Sequence, residues 1–455
     1  MKKYFFLFLF TALFFTSFSQ ANDAARIKEI VDDVMVNSPA YSNLRILCKD
    51  VGKRLSGSEN YLKAVKLSEK LLKDAGADTV YLQECMVPHW ERGAKESGEI
   101  ILSKGKKIPL NLLALGNSAG TGVKGVQAKV IEVNNLDEIP GLASKIKGNI
   151  VFLNIKMNPE YINTFQAYGE SARSRSRGPS LAAKYGAVGA LVRTLSANIN
   201  DVPNTGNSYF NDSFPVIPAV AISTRDAEFL SKELKEKNVA SVKVTTYCKA
   251  FPDAVGYNVI GEIKGSEFPE EIITVGGHLD SWDIGEGAHD DGAGVMQSIE
   301  VIRVLKTLNL KPKRTVRAVL FANEENGLRG AYAYLDEAKA KKENHLFALE
   351  SDAGGFTPRS FGFDTTPGRF KKIMVWQSLF VPYGVTEFLD NGGGADVDPL
   401  KSIGATVAGF NPDSQRYFDI HHNKNDVFEN VSERELKLGA ANMAALIYLV
   451  SKYGL

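Results

Sequence analysis

Residues 270–294 read EEIITVGGHLDSWDIGEGAHDDGAG. The β-branched run before His278 is typical of a buried strand, and the following segment AGVMQSIEVIRVLKTL has helical periodicity. Between strand and helix the chain carries two histidines, five carboxylates and four glycines, a combination that is costly to bury without a compensating partner. This stretch therefore predicts a strand, a polar turn that holds a ligand, and a helix.

The same alternation of strand and helix extends along the chain in both directions. Residues 60–75 have the pattern of an amphipathic helix that Gly76 closes, and TVYLQECMVPHWERG alternates like a strand. TVRAVLFANEE is a further buried strand, followed by a helix through Tyr334. We therefore expect an α/β fold with a mostly parallel, mixed sheet, helices on both faces, and the functional site at the carboxyl ends of the strands.

The length of the chain and a change in local composition indicate that a second domain interrupts this fold. The chain has 455 residues, and residues 117–247 are rich in Gly, Asn and Ser with short β-like segments (VQAKVIEV, GNIVFLNI, IPAVAIS). We expect an inserted β-rich domain there, with a main domain formed by residues 22–116 and 248–455. Within the insert, GPSLAAKYGAVGALVR has the pattern of one helix. The basic run RSRSR at residues 173–177 is predicted to be a solvated loop.

The first 21 residues differ in kind from the rest. Two lysines, an apolar run and small residues ending at Ala21 are the features of a signal peptide, with a membrane anchor as the alternative. We therefore expect an exported protein, periplasmic or secreted, with no membrane span after signal removal. The three cysteines allow at most one disulfide and do not have zinc-finger spacing.

Lys and Arg total 54 against 53 Asp and Glu, and this near balance predicts no binding of nucleic acid or of anionic membranes through an overall field. Function must come from a local site. Candidate partners of the 278–294 stretch follow three later strand-like runs. In chain order they are Glu324 and Glu325 in FANEEN, Asp352 in ESDAGG, and His421, His422 and Asp426 in HHNKND.

From residue types alone, His278 offers a metal a neutral ring nitrogen, Asp280 is placed to orient that ring, and Asp290 is placed to bridge two cations. One of the adjacent glutamates can ligate a metal while the other faces a water. A calcium loop or a polar turn remains an alternative for the stretch alone. The residues leave open which glutamate and which of the two histidines binds.

Taken together, the motifs GGHLDSWDIGEGAHDDGAG, NEEN, ESDAGG and HHNKND resemble those of the co-catalytic zinc peptidases of family M28. The segment RSRGPSLAAKYGAVGALVR is similar to part of a protease-associated domain. The resemblance implies two zinc ions per chain, peptide substrates, a possible homodimer and a cis peptide bond between Asp290 and Asp291. It implies these zinc ligands: His278, Asp290, Glu325, Asp352 and His422. Glu324 would be the general base, with Asp280 orienting His278.

Two other functional classes share this core fold. A catalytically inactive binding module would be expected to lack metal ligands, and a one-zinc glutaminyl cyclase would not be expected to carry the insert. The glycine-rich run NGGGADVD contains Asp396 and Asp398, either of which could hold a substrate ammonium, although a plain polar loop is the alternative. We therefore expect an exopeptidase acting on dipeptides or short peptides, with carboxypeptidase and aminopeptidase action left open.

Overall fold

The strand that ends in His278 lies in the middle of an eight-stranded mixed sheet. The computed structural model describes residues 22–455, so the predicted signal peptide at residues 1–21 lies outside the described residues. In order across the sheet, the strands are β1 (Thr79–Glu91), β11 (Lys249–Ile263), β13 (Arg314–Phe321), β12 (Phe268–His278), β14 (Asn344–Glu350), β17 (Thr406–Pro412), β15 (Pro358–Asp364) and β16 (Glu387–Leu389). The central strands β13, β12, β14 and β17 run parallel, so their carboxyl ends share one edge.

Helices cover both faces of this sheet, as the sequence predicted. They are α1 (22–37), α2 (Ala40–Ile46), α3 (Glu59–Asp74), α9 (Ala293–Thr307), α10 (Arg329–Lys341), α11 (Pro367–Met374), α12 (Gln377–Phe380) and α14 (Glu433–Tyr453). The short helix α13 (Tyr417–Ile420) packs instead in a separate cluster with Ala167 and Phe356. Every residue of strand β13 is buried, because helices pack on both of its faces. Its residues Val316 and Leu320 pack into the core with α9 and α14, whereas Val319 and Phe321 pack on the opposite face with α10.

Two smaller sheets occupy the segment from Ser97 to Thr245. One has the order β3 (Lys107–Pro109), β2 (Ser97–Leu102), β10 (Val239–Thr245), β5 (Val126–Ala128). The other has the order β4 (Leu112–Ala114), β9 (Ala219–Ile222), β8 (Gly189–Arg193), β7 (Ile150–Leu153), β6 (Val130–Val133). The helices between these strands are α4 (Ala143–Ile146), α5 (Thr164–Ser171), α6 (Arg173–Ser176), α7 (Gly178–Lys184) and α8 (Thr224–Lys235). The division into domains and the protease-associated assignment remain predictions.

Two expectations for this small-sheet segment (residues 97–245) were wrong. GPSLAAKYGAVGALVR is not one helix, because α7 ends at Lys184, Gly186 adopts a φ of 81°, and the remaining apolar run forms β8. A short apolar run is helix-like by itself and becomes a strand only where neighbours pair with it, here β7 and β9. RSRSR is not a solvated loop, because it forms α6 and buries Arg175, while Arg173 and Arg177 stay exposed.

Within residues 22–455, no helix combines the length and apolar character needed to span a bilayer. The three cysteines, Cys48, Cys85 and Cys248, are all buried and free. The segment after the predicted signal peptide is an integral part of the core, because Ile27, Ile30 and Val34 of α1 are fully buried.

Candidate metal centre

The predicted site residues follow the carboxyl ends of the four parallel strands. His278 is the last residue of β12, Glu324 and Glu325 follow β13, Asp352 follows β14, and His422 comes after β17 and α13. Because parallel strands end at one edge of a sheet, residues far apart in the chain meet there. The structure brings all five predicted ligands together.

The first group of donors surrounds the His278 ring. Its Nε2 lies 3.1 Å from Asp290 Oδ1 and 3.4 Å from Asp352 Oδ1. His278 and Asp290 are buried, and the side chain of Asp352 keeps part of its surface open to solvent. One imidazole nitrogen and two carboxylate oxygens therefore converge within reach of a single cation.

The second group of donors surrounds the His422 ring and shares Asp290 with the first. His422 Nε2 lies 3.1 Å from Asp290 Oδ2 and 3.0 Å from Glu325 Oε2. The two oxygens of Asp290 thus point to two different histidines. This shared carboxylate is the geometry expected of a ligand that bridges two cations.

Asp280 makes a different contact from the one expected. His278 Nδ1 lies 3.0 Å from the backbone carbonyl of Asp280, whereas the Asp280 carboxylate is 3.8 Å away. That carboxylate instead accepts hydrogen bonds from the backbone N–H of Glu324 at 3.1 Å and from the hydroxyl of Ser56 at 2.9 Å. Asp280 therefore orients His278 through its main chain and positions Glu324 through its side chain.

Two further carboxylates shape the turn that carries Asp290. Asp426 accepts hydrogen bonds from the backbone N–H groups of Ala288, His289 and Asp290. Asp291 accepts from the N–H groups of His278 and Gly294, at 3.0 Å each. The peptide bond between Asp290 and Asp291 is cis, as predicted. The turn is thus held from both sides, and its one remaining carboxylate faces the two histidines.

The buried charges shift one another's proton affinities. Burial alone would lower the pKa of His422, but the Glu325 and Asp290 carboxylates raise it to about 9. Burial and the Asp290 carboxylate raise the pKa of Glu325 to about 7. Burial and the Asp352 carboxylate raise the pKa of Glu324 well above its usual range. The carboxylates thus favour positive charge at His422, which is the charge that bound cations would supply instead.

The donor set fits a pair of metal ions. Asp290 Oδ2 and Asp352 Oδ1 are buried, and although a histidine Nε2 lies 3.1 Å from the first and 3.4 Å from the second, neither oxygen accepts a well-directed hydrogen bond, as buried polar atoms normally do. Imidazole nitrogens and carboxylate oxygens in this ratio suit zinc. The two groups of donors share only Asp290.

Residues from the small-sheet segment reach the outer side of His422, which the sequence analysis missed. Arg175 Nη1 lies 3.4 Å from His422 Nδ1 and 3.3 Å from the carbonyl of Thr205, and Nη2 donates to the Tyr168 hydroxyl at 2.5 Å. Gly206 makes room for this side chain, because a Cβ there would lie 2.4 Å from the Arg175 guanidinium carbon. Nothing in the sequence RSRSR distinguishes Arg175, which is buried, from Arg173 and Arg177, which are exposed.

His421 lies beside His422, and the two histidines and Asp290 offer ligand atoms within 4.8 Å of one another. Its ring stacks on His422 at 3.5 Å between centroids, its Nε2 is 3.8 Å from Asp290 Oδ2, and its Nδ1 has no hydrogen-bond partner. Of the two aspartates in NGGGADVD, Asp396 is 1% exposed, whereas Asp398 is half exposed and pairs with Lys401 at 3.1 Å. The structure therefore separates these two aspartates into a fully buried and a partly exposed residue.

Comparison with known proteins places the chain in a family. Residues 258–447, which include all the predicted ligands, match the model of peptidase family M28. Carboxypeptidase Q from Homo sapiens is 36% identical over 90% of this chain and 85% of its own length. A peptidase M28 precursor from Shewanella amazonensis has a crystal structure that superimposes with a TM-score of 0.90 at 30% identity, covering 96% of this chain and 98% of that one. A zinc aminopeptidase from Bacillus subtilis shares the fold, with a TM-score of 0.65, 21% identity and coverage of 91% and 95%. This extent of identity, with the family match lying on the segment that carries the site, shows that the protein is a metallopeptidase of family M28.

Proposed function

We propose that the protein is an exported zinc exopeptidase that hydrolyses dipeptides or short peptides with free termini, using two zinc ions per chain. The single observation that carries the proposal is the shared Asp290 carboxylate, whose two oxygens face His278 and His422. A carboxylate in that position is suited to a pair of cations.

The zinc ligands we propose form two sets that share one residue. His278 and Asp352 would hold one ion and Glu325 and His422 the other, with Asp290 common to both. When bound, the zinc pair supplies a Lewis acid that activates water and polarises the carbonyl of the scissile bond.

Glu324 is the general base in this proposal. It is half-buried next to the ligands, and its main chain is held by the Asp280 carboxylate. Its carboxylate would accept a proton from the attacking water and deliver it to the nitrogen of the departing amine. Asp280 thus acts as a positioning residue for both Glu324 and His278.

The relatives support the proposal that the substrates have free termini, since carboxypeptidase Q and the Bacillus zinc aminopeptidase carry the names of exopeptidases. Export rests on the signal-peptide features of residues 1–21. The separate sheets within residues 97–245 support an inserted domain, for which 117–247 is the predicted range. A homodimer remains part of the proposal on the family resemblance.

The test combines metal analysis with a substrate panel. Active enzyme should contain two zinc ions per chain by elemental analysis, whereas a value near one would favour the single-zinc transferase class. The same preparation should cleave a free dipeptide faster than its N-acetylated or C-amidated forms and leave a long unstructured protein uncut internally. Equal cleavage of a doubly blocked peptide would contradict the exopeptidase assignment.

A further inference from the structure

A cleft opens between helix α10 and the small-sheet segment and has no role in the proposal above. Its volume is about 510 Å³, a typical size for the binding site of a small molecule. Six of the residues that line it are Tyr209, Phe210, Val216, Tyr332, Asn326 and Arg329. None of the described residues that line it carries a carboxylate. The cleft is thus largely apolar, with one cationic side chain.

Both walls of the cleft continue from residues of the metal centre. On one wall, Asn326 directly follows Glu325 in the chain. On the other wall, the hydroxyl of Ser208 donates to the carbonyl of Arg175 at 3.1 Å. The guanidinium of Arg175 in turn lies 3.4 Å from Nδ1 of His422. The cleft therefore lies next to Glu325 and His422, the two residues that are proposed to hold one zinc ion together with the shared carboxylate.

The wall formed by α10 has uncompensated positive charge. Arg329 is the first residue of this helix, is exposed, and forms no ion pair with any residue in the range 22–455. The first turn of α10 contains no acidic residue, and the N-cap residue Leu328 makes no capping hydrogen bond with its side chain. The amino-terminal end of a helix has a partial positive charge, so the helix end and the guanidinium both attract an anion.

A buried amide in the same wall also favours an anion. Asn326 is 2% exposed, its Oδ1 accepts a hydrogen bond from Asn323, and its Nδ2 has no hydrogen-bond partner. Buried donors are normally paired. This unpaired N–H end of the amide lies behind the surface of the cleft and adds to the positive potential there.

We propose that this cleft binds the carboxyl-terminal residue of the peptide substrate, with Arg329 pairing with its free α-carboxylate. A guanidinium offers two parallel N–H donors that match the two oxygens of a carboxylate. The rings of Tyr209, Phe210 and Tyr332 supply an apolar surface for the side chain of the same substrate residue. A small inorganic anion would use the arginine but not these rings. This inference rests on the proposed function and adds the side of the scissile bond on which the substrate carboxylate lies.

This placement decides which bond is cut and which substrates are preferred. With the carboxylate beside Arg329, the peptide bond nearest to Glu324 is the last one in the substrate. The enzyme would then release the carboxyl-terminal residue from short peptides. A large apolar residue at that end would be bound better than glycine.

The first test compares Arg329→Gln with Lys339→Gln, which removes one positive charge from the exposed far end of the same helix. Substrates are alanyl-phenylalanine and its C-amidated form. Arg329→Gln should raise KM for the free dipeptide about 10-fold or more with little change in kcat, because a hydrogen-bonded charge pair is lost. Arg329→Lys should recover part of the affinity, since it keeps the charge but not the planar fork. Lys339→Gln should match the wild type. An unchanged KM for the free dipeptide in Arg329→Gln, or an equal loss for the amide, would overturn the proposal.

The apolar walls are tested by a second variant. Tyr332 is 53% exposed, so Tyr332→Ala removes a ring of the cleft without opening the core. It should lower kcat/KM for alanyl-phenylalanine roughly 2- to 10-fold relative to alanyl-glycine, because one aromatic contact is lost. Equal changes for the two dipeptides would contradict binding of the substrate side chain against Tyr332.

Binding can also be measured without turnover. Phenylpropanoate carries a ring and a carboxylate but no peptide bond, and phenylpropanamide is its uncharged counterpart. Calorimetry on the zinc-loaded protein should show phenylpropanoate binding about 10-fold or more weaker in Arg329→Gln than in wild type, with no difference for the amide. Equal affinity of both proteins for phenylpropanoate would contradict the role of Arg329. If the wild type cleaves no dipeptide but this difference is found, the proposed function fails while the assignment of the cleft stands.

Discussion

The two ring nitrogens of His422 face two different parts of the molecule. Nε2 points to Asp290 and Glu325 at the edge of the large sheet, whereas Nδ1 lies 3.3 Å from the carbonyl of Thr205 in the small-sheet segment. A donor N–H at Nδ1 leaves the Nε2 lone pair free for a metal. In the proposed site the sheet edge supplies the ligands, while the small-sheet segment contacts the outer ring nitrogen of one of them through Thr205 and Arg175.

Removal of the shared carboxylate of Asp290 should have the largest effect on the sheet edge. Asp290→Asn should weaken the binding of both metals by more than the roughly 10- to 100-fold that loss of an outer hydrogen-bond partner costs, and peptidase activity should fall with it. Zinc titration with an activity assay measures both effects. Asp253→Asn, an exposed change on β11, is the control. An Asp290→Asn enzyme that keeps two zinc ions would show that Asp290 is not their common ligand.

A second change separates chemistry from metal binding at the same edge. Glu324→Gln should keep both zinc ions and lower kcat by roughly 10²- to 10⁴-fold, because the amide cannot accept the proton of the attacking water. Glu325→Gln, its chain neighbour, should instead lose metal. If Glu324→Gln loses zinc but keeps its activity per bound metal, the roles of the two glutamates are exchanged.

The smallest expected effect tests the contribution of the small-sheet segment. Arg175 donates to the Thr205 carbonyl that also contacts His422, so Arg175→Ala should weaken zinc binding at the His422 side by about 10-fold, as for other outer partners of metal ligands. Arg173→Ala, at the exposed end of the same helix, should have no effect. Zinc affinity measured by competition with a chelator distinguishes them. Equal zinc affinities for both variants would show that only residues at the sheet edge contribute to zinc binding.

Much of the fold could be predicted because its signals are local. Strand and helix periods around His278, Glu324 and residues 60–75 identified the α/β sheet and its helices, and polar residues directly after apolar runs identified the strand ends. Parallel strands then required these ends to meet, which placed His278 and Glu325 at one edge. Choosing Glu325 over Glu324 and His422 over His421 required the family resemblance, since residue type alone leaves each pair equivalent.

Other features depend on neighbours that are distant in sequence. GAVGALVR becomes β8 only because β7 and β9 lie on either side, and Arg175 is buried only because Gly206 and His422 come to meet it. Similarly, Asp396 and Asp398 look alike in the sequence, but only Asp396 is fully buried, with its backbone N–H donating to Glu350. The amino-acid sequence by itself determined the main strands and helices of the large sheet and the polar residues that follow its strands. The tertiary structure decided which charges are buried and what they contact, because burial and electrostatic partners are set by packing across the whole chain.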